Sequence, residues 1–173
     1  MHKLSIIIPV YNEASTIIEL VNKVKEVDLS SLDTEKEIIV VDDGSSDGTI
    51  GNLNKINGIK VIQHQVNSGK GAAIRTGIAC ATGDMVIIQD ADLEYDPNDY
   101  KVLITPILQG KAKVVYGSRR LKKENKKHSG LSFYIGGVGL TFITNLLFPS
   151  AHITDEPTCY KTFSADIIKD LNL

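Results

Sequence analysis

Short apolar runs punctuate the first two thirds of the chain: Leu4–Val10, Glu37–Val41, Ile59–Ile62, Met85–Ile88 and Lys113–Tyr116. They are too short for helices, rich in β-branched residues and bounded by Gly, Asp or Pro, which predicts strands. None alternates apolar with polar, so each is expected as a central strand buried on both faces. Between them the period lengthens to that of a helix. Ala14–Val27 carries Ile17, Leu20, Val21 and Val24 on one face, with Ser15 or Asn12 as candidate caps. A second helix is expected after Ser46 or Asp47, a third over Lys70–Ala81 and a fourth over Pro97–Leu108, where Pro97 suits a helix start. Strand alternating with helix predicts an α/β fold with a mostly parallel central sheet and right-handed crossovers.

Composition narrows the class. A chain of 173 residues, 42% hydrophobic and 23% charged, is expected as one globular domain with a real core. A formal net charge of -2 and the lack of an aromatic–basic pattern argue against a nucleic-acid partner. Cys80 and Cys159 form no CxxC and have no His at zinc spacing, so two reduced, partly buried thiols are expected. Met1–Val10 runs straight into a strand pattern that does not read as a signal peptide, so a cytoplasmic domain is expected. No feature of the sequence specifies an oligomeric state.

In an open parallel sheet, ligands bind outside the carboxyl ends of the strands. The polar residues fall there: Pro9, Tyr11, Asn12 and Glu13 after the first strand, Asp42 and Asp43 after the second, Asp90 and Asp92 after the fourth. Two carboxylates two residues apart at a strand end face one cleft if the chain turns, and hard divalent cations prefer such oxygen ligands. Mg²⁺ or Mn²⁺ held by Asp90 and Asp92, with Glu94 joining or supporting them, would neutralise a departing diphosphate. The plainer reading is that these carboxylates cap the following turn. Asp42-Asp43-Gly44-Ser45-Ser46-Asp47 is a turn by composition, and Asp47 or Ser46 can cap a helix while Asp42 faces the cleft. Asn67-Ser68-Gly69-Lys70-Gly71 is not a P-loop: His64 stands where Gly is needed, and Gly71 where Ser or Thr is needed. Two readings stay open there, Lys70 approaching a phosphate or base, and Gly69 and Gly71 permitting a tight turn.

Taken in order, Pro9-Val10-Tyr11-Asn12-Glu13, Val41-Asp42-Asp43-Gly44-Ser45-Ser46-Asp47-Gly48-Thr49, Asn67-Ser68-Gly69-Lys70-Gly71 and Asp90-Ala91-Asp92 resemble family 2 glycosyltransferases of the GT-A fold. Tyr116-Gly117-Ser118-Arg119 and Asp155-Glu156-Pro157-Thr158-Cys159-Tyr160-Lys161 are similar to elements of the polyprenyl-phosphate branch, which includes dolichyl-phosphate mannose synthase; many members have Gly-Phe where Cys159-Tyr160 stands. The resemblance implies a Rossmann-like α/β/α sandwich over 1–173, shortened at its C-terminal end relative to kin. It implies that Pro9, Tyr11, Glu13, Val40 and Asp42 line a nucleoside pocket. Asp90, Ala91 and Asp92 would hold diphosphate and metal, Glu94 would add a ligand, and Arg119 would face phosphate. It further implies single-displacement inversion, with a nucleotide-diphosphate sugar as donor.

A lipid-phosphate acceptor is already anionic, so a strong general base is unnecessary; positive groups must instead bring two anions together. The basic segment Arg119–Lys127 can serve at a membrane surface or be a solvated loop. Asp155 is the remaining carboxylate for a base or orienting role. Leu131–Phe148 is strongly apolar yet carries three Gly, a Ser, two Thr and an Asn. It is expected as an interfacial helix at the cytoplasmic face of a membrane, with a buried core helix as the alternative. Two further readings remain: transfer to a sugar hydroxyl, which requires a carboxylate base, and a noncatalytic nucleotide-sugar-binding module.

Overall fold

The computed structural model describes residues 1–118, 131–149 and 153–171. The chain divides into two compact units, Met1–Val115 with Thr162–Leu173, and Tyr116–Lys161. Its strands are β1 (His2–Val10), β2 (Thr34–Asp42), β3 (Lys60–Gln63), β4 (Met85–Ile88), β5 (Val114–Tyr116) and β6 (Lys161–Ser164), in the sheet order β3-β2-β1-β4-β6-β5. The pairs β1–β2, β1–β4 and β2–β3 are parallel and β4–β6 is antiparallel. The five runs read from the sequence are all strands, and β6 is an addition: four residues, Lys-Thr-Phe-Ser, are too few and too polar to stand out.

The inner strands are dry on both faces, as the absence of alternation required. Leu4, Ile6, Ile7 and Ile8 of β1 and Ile39, Val40 and Val41 of β2 have no accessible surface. The same expectation fails for β3 and β5. They occupy the two edges of the sheet and are only half-buried, because an edge strand has a neighbour on one side alone.

Five helices belong to the first unit: α1 (Ile17–Glu26), α2 (Thr49–Leu53), α3 (Lys70–Cys80), α4 (Tyr100–Leu108, after a 3₁₀ turn at Pro97–Asp99) and α6 (Ala165–Asp170). Alternation divides the strand residues between the two faces. Ile7, Ile39, Val41 and Val86 form one cluster with Ala73, Ile78 and Ala81 of the α3 region and Ile168 of α6. Gly77 makes this packing possible: a Cβ there would lie 2.4 Å from Ile7 Cγ2. Neither expected cap serves α1. Thr16 is its N-cap and turns its hydroxyl back to Glu13 Oε2 at 2.6 Å, while Asn12, at φ 55°, accepts from Ser46 N at 2.9 Å. At the other end Lys36 Nζ donates to the carbonyls of Val24 (2.9 Å) and Lys25 (2.6 Å), satisfying orphan acceptors of the last turn.

The second unit contains α5 (Leu131–Leu147). Its Gly117 N donates to Tyr160 O at 2.8 Å, so the Tyr116-Gly117-Ser118 and Asp155–Tyr160 elements lie side by side. A Cβ on Gly117 would meet Tyr160 Cβ at 3.1 Å.

Candidate active site

The order β3-β2-β1-β4 dictates where a site can form. From β1 the chain moves through β2 to β3, then crosses back to β4 on the far side of β1. The direction reverses between β1 and β4, and in open α/β sheets the crevice at the carboxyl ends of such a pair is the ligand site. A cleft of about 400 Å³ lies there. Pro9, Val10, Tyr11 and Glu13 line it from the end of β1, and Asp90, Ala91 and Asp92 from the end of β4. Asp43 enters from β2, and Asn67, Gly69, Lys70 and Ala73 from the start of α3.

The expected residues Pro9, Tyr11, Glu13, Lys70, Asp90, Ala91 and Asp92 are thus brought together. Val40 and Asp42 are not among the lining residues. They stand two apart on β2, share one face by the alternation of a strand, and are fully buried. Asp42 Oδ1 accepts from Ser45 N at 3.3 Å, whereas its Oδ2 is buried with no hydrogen-bond partner among the described residues. Its neighbour Asp43 takes the place in the cleft. The sequence reading chose Asp42 over Asp43 because the direction of a side chain just past a strand end is set by how the chain leaves the sheet, which the pattern of residues does not give.

Asp43 organises the loop in front of α3. Its Oδ1 accepts from Ser68 N at 3.0 Å and its Oδ2 from Gly69 N at 2.7 Å, while His64 Nδ1 lies 2.7 Å from Oδ1. An ionised carboxylate only accepts, so Nδ1 carries the proton. His64 Nε2 lies 2.9 Å from Thr76 Oγ1 on α3. Burial raises the Asp43 pKa, but hydrogen bonds from Ser68, His64 and Gly69 outweigh it and hold the carboxyl below its ordinary value. Gly69 sits at φ 89°, which demands glycine. A Cβ on Gly71 would meet nothing closer than Arg75 Nη1 at 3.7 Å, so the turn does not require that second glycine. Gly44, at φ 75°, approaches so closely that a Cβ would lie 2.9 Å from Asn67 N.

Lys70 Nζ lies 2.6 Å from Asp90 Oδ1, with the Lys70 side chain half-exposed and that of Asp90 10% exposed. The first turn of α3 therefore delivers a cation, and the positive end of a helix dipole, to the carboxylate after β4. Asp92 is exposed, and its Oδ1 accepts from Glu94 N at 3.0 Å. Leu93 between them has φ 63°, left-handed for a residue with a branched side chain. This turn separates Glu94 from the cleft lining. Among the described residues no group of three His, Cys, Asp or Glu is assembled to hold a metal, so the expected set of Asp90, Asp92 and Glu94 is not formed. Two carboxylates still suit a hard cation that takes its remaining ligands from substrate phosphates and water, the usual arrangement for Mg²⁺.

Arg119 lies outside the described residues, as does the basic segment 119–127. Asp155, in the second unit, is 2% exposed. Cys80 and Cys159 are half-buried and form no disulfide among the described residues.

The comparisons with known proteins agree with this geometry. The model of the family described as "Glycosyl transferase family 2" matches residues 5–171. An uncharacterised protein of Methanocaldococcus jannaschii is 33% identical over 169 residues, covering 96% of this chain and 66% of its own. A UDP-N-acetylglucosamine–dolichyl-phosphate N-acetylglucosaminyltransferase of Methanococcus voltae is 32% identical over 186 residues, covering 96% of this chain and 71% of its own. The crystal structure of Mycobacterium tuberculosis glucosyl-3-phosphoglycerate synthase in complex with Mn²⁺, UDP and phosphoglyceric acid superposes with a TM-score of 0.74 at 22% identity, over 98% of this chain and 58% of its own. At that identity the likeness establishes the fold, GT-A-like α/β. The chain spans between about half and three quarters of the length of these relatives. Cleft, fold and family model converge: the chain belongs to glycosyl transferase family 2.

Proposed function

We propose that this chain carries the donor site of an inverting transferase that moves a sugar from a nucleoside diphosphate to a polyprenyl phosphate. The observation that carries the reading is the cleft between β1 and β4, where Asp90 meets Lys70 from the start of α3 and Asp92 lines the same space. A nucleotide sugar needs such a polarised site: an apolar and aromatic wall for the nucleoside, and paired positive and negative groups for the diphosphate. Pro9 and Tyr11 supply the first, and Glu13 adds a polar group beside them.

Asp90 and Asp92 would hold Mg²⁺ or Mn²⁺ together with diphosphate oxygens, and the bound ion would neutralise the charge developing on the leaving group. Lys70 binds the diphosphate as a point charge once it is released from Asp90. Asp43, through Ser68 and Gly69, sets the height of the α3 terminus against the phosphates.

The acceptor reading rests on α5. The face of this helix that packs is polar: Thr141 is 7% exposed, its Oγ1 donates to Gly137 O and accepts from Glu156 N, and Asn145 pairs with both backbone groups of Ile153. The outward face is apolar, with Phe142, Ile143, Leu146, Leu147 and Phe148 each more than half exposed. A helix with its polarity inverted matches an apolar environment. No helix among the described residues is long and apolar enough to cross a membrane, so a surface-lying helix is the form this contact takes. The Methanococcus voltae relative, which by name acts on dolichyl phosphate, supports a polyprenyl phosphate over a sugar hydroxyl.

Calorimetry with UDP- and GDP-sugars, with and without Mn²⁺, tests the donor site. The expected result is metal-dependent binding of one nucleotide class. Asp92→Asn, at an exposed position, should weaken that binding by about tenfold or more while leaving the thermal midpoint in place. Equal affinity of the two proteins in Mn²⁺ would remove the carboxylates from the site. Sugar transfer to a polyprenyl phosphate in vesicles, against a soluble sugar acceptor, decides the acceptor.

A further inference from the structure

Gln89 is a fully buried amide at the end of an otherwise apolar strand, Met85–Ile88. A buried glutamine is costly unless every polar atom finds a partner. Here each does. Nε2 donates to Asp90 O at 3.1 Å and, more weakly, to Tyr95 O at 3.4 Å. Oε1 accepts from the Tyr100 hydroxyl at 2.9 Å, and the backbone N donates to Ile7 O on β1 at 2.9 Å. Tyr100, the first residue of α4, has no accessible surface. One side chain therefore ties both ends of the 90–95 loop to each other and to α4.

Between those ends lie Asp92 and the left-handed Leu93. A non-glycine residue in that region is strained and persists only where its surroundings over-determine it. We infer that Gln89 and Tyr100 are positioning residues for the carboxylate loop, holding Asp90 and Asp92 in the arrangement that a divalent cation and a diphosphate require. This inference rests on the donor-site reading above. Burial, with the nearby Asp96 charge, keeps the Tyr100 hydroxyl protonated far above its ordinary range, so it remains a donor to Gln89 across the pH scale in which proteins work. A purely space-filling role would be met by an apolar side chain, without the cost of burying an amide. The contacts of this amide go to the loop itself.

Mn²⁺ titration of the full chain, alone and with the nucleotide that the wild type binds, tests this. Gln89→Met keeps length and removes the tether; Tyr100→Phe removes one hydroxyl and loosens it. Second-sphere groups of a metal site are typically worth 10- to 100-fold in affinity. Gln89→Met should weaken Mn²⁺ binding by at least about tenfold, and Tyr100→Phe by a smaller factor, about threefold or more. Whatever nucleotide affinity the wild type keeps without Mn²⁺ should be retained within about twofold, because the nucleoside wall is on β1. Ile104→Val, a buried α4 change away from the loop, serves as the control for lost stability and should keep wild-type Mn²⁺ affinity. Wild-type Mn²⁺ affinity in Tyr100→Phe and Gln89→Met overturns the inference alone, as does an equal loss in Ile104→Val. If Gln89→Met does not fold, Tyr100→Phe against Ile104→Val decides by the same criterion. A wild type that binds neither Mn²⁺ nor nucleotide overturns the donor-site reading and this inference with it.

Discussion

Asp90 and Asp92 are chemically identical and two residues apart, yet they live in different surroundings. Asp90 is nearly buried and already neutralised by Lys70 at 2.6 Å, whereas Asp92 is exposed and committed through one oxygen to Glu94 N. A cation entering the cleft competes with Lys70 for Asp90. A partly exposed ion pair contributes up to about 1 kcal/mol, so the competition is modest. Lys70→Met should therefore tighten Mn²⁺ binding to the free protein by about two- to fivefold. The same change should weaken nucleotide-diphosphate binding, because the diphosphate loses its cation. Titrating Mn²⁺ first alone and then with nucleotide separates the two effects; movement in the same direction would show that Lys70 does not exchange partners. This residue-level detail was beyond the sequence, which left open whether Lys70 approaches a phosphate or base or whether Gly69 and Gly71 simply permit a tight turn. Spacing placed Asp90, Asp92, Pro9, Tyr11 and Glu13 at one sheet edge because strand ends are legible from apolar runs. It put Asp42 in the cleft where Asp43 stands, and did not find Gln89, since side-chain direction past a strand end depends on loop geometry that no periodicity encodes.

At the scale of elements, the strands and the helices α1, α3 and α4 were readable within a few residues, because short β-branched apolar runs and longer stretches with a 3.6-residue period look different in the sequence. The four-residue β6 and six-residue α6 were not, since β6 is half polar and α6 is under two turns long, so neither stands out as an apolar run or a helical stripe. Packing between elements adds a requirement that pattern alone misses. Gly77 sits in mid-helix, where glycine is intrinsically unfavourable, because α3 must lie against Ile7. Gly77→Ala gains helix propensity but forces a methyl into that contact, and the steric term should prevail, lowering stability by about 1–3 kcal/mol in urea unfolding. An increase in stability would mean that Ile7 can withdraw. The opposite logic applies to α5, whose apolar residues face outward. Phe142→Asp combined with Leu146→Asp should leave thermal unfolding nearly unchanged, as both side chains are 67% exposed, while abolishing flotation with anionic phospholipid vesicles. Undiminished flotation would show that α5 does not meet lipid.

Across the whole molecule, some carboxylates are held ionised chiefly by hydrogen bonds, and these shape the response to acid. Two belong to separate ends of the sheet. Asp43 secures the α3 loop at the carboxyl end. At the other end, Glu37 accepts from the Ser5 hydroxyl at 2.6 Å and from Thr82 N at 2.9 Å. For both, burial pushes the pKa up, but the hydrogen bonds prevail and the folded value lies below the ordinary one. A group whose pKa is lowered by folding contributes stability that is complete above its unfolded pKa and is lost as the pH falls through its folded value. The urea midpoint should therefore hold steady from neutrality to about pH 5, then fall as the carboxylates protonate below about pH 4. Glu37→Gln and Asp43→Asn should each flatten that fall while lowering the plateau. The two variants should differ in function: Asp43→Asn disturbs the loop that delivers Lys70 and weakens donor binding, whereas Glu37→Gln, remote from the cleft lining, leaves it unchanged. Equal acid slopes in wild type and both variants would transfer the acid sensitivity to other carboxylates, and equal losses of donor binding would show that the two ends of the sheet are coupled.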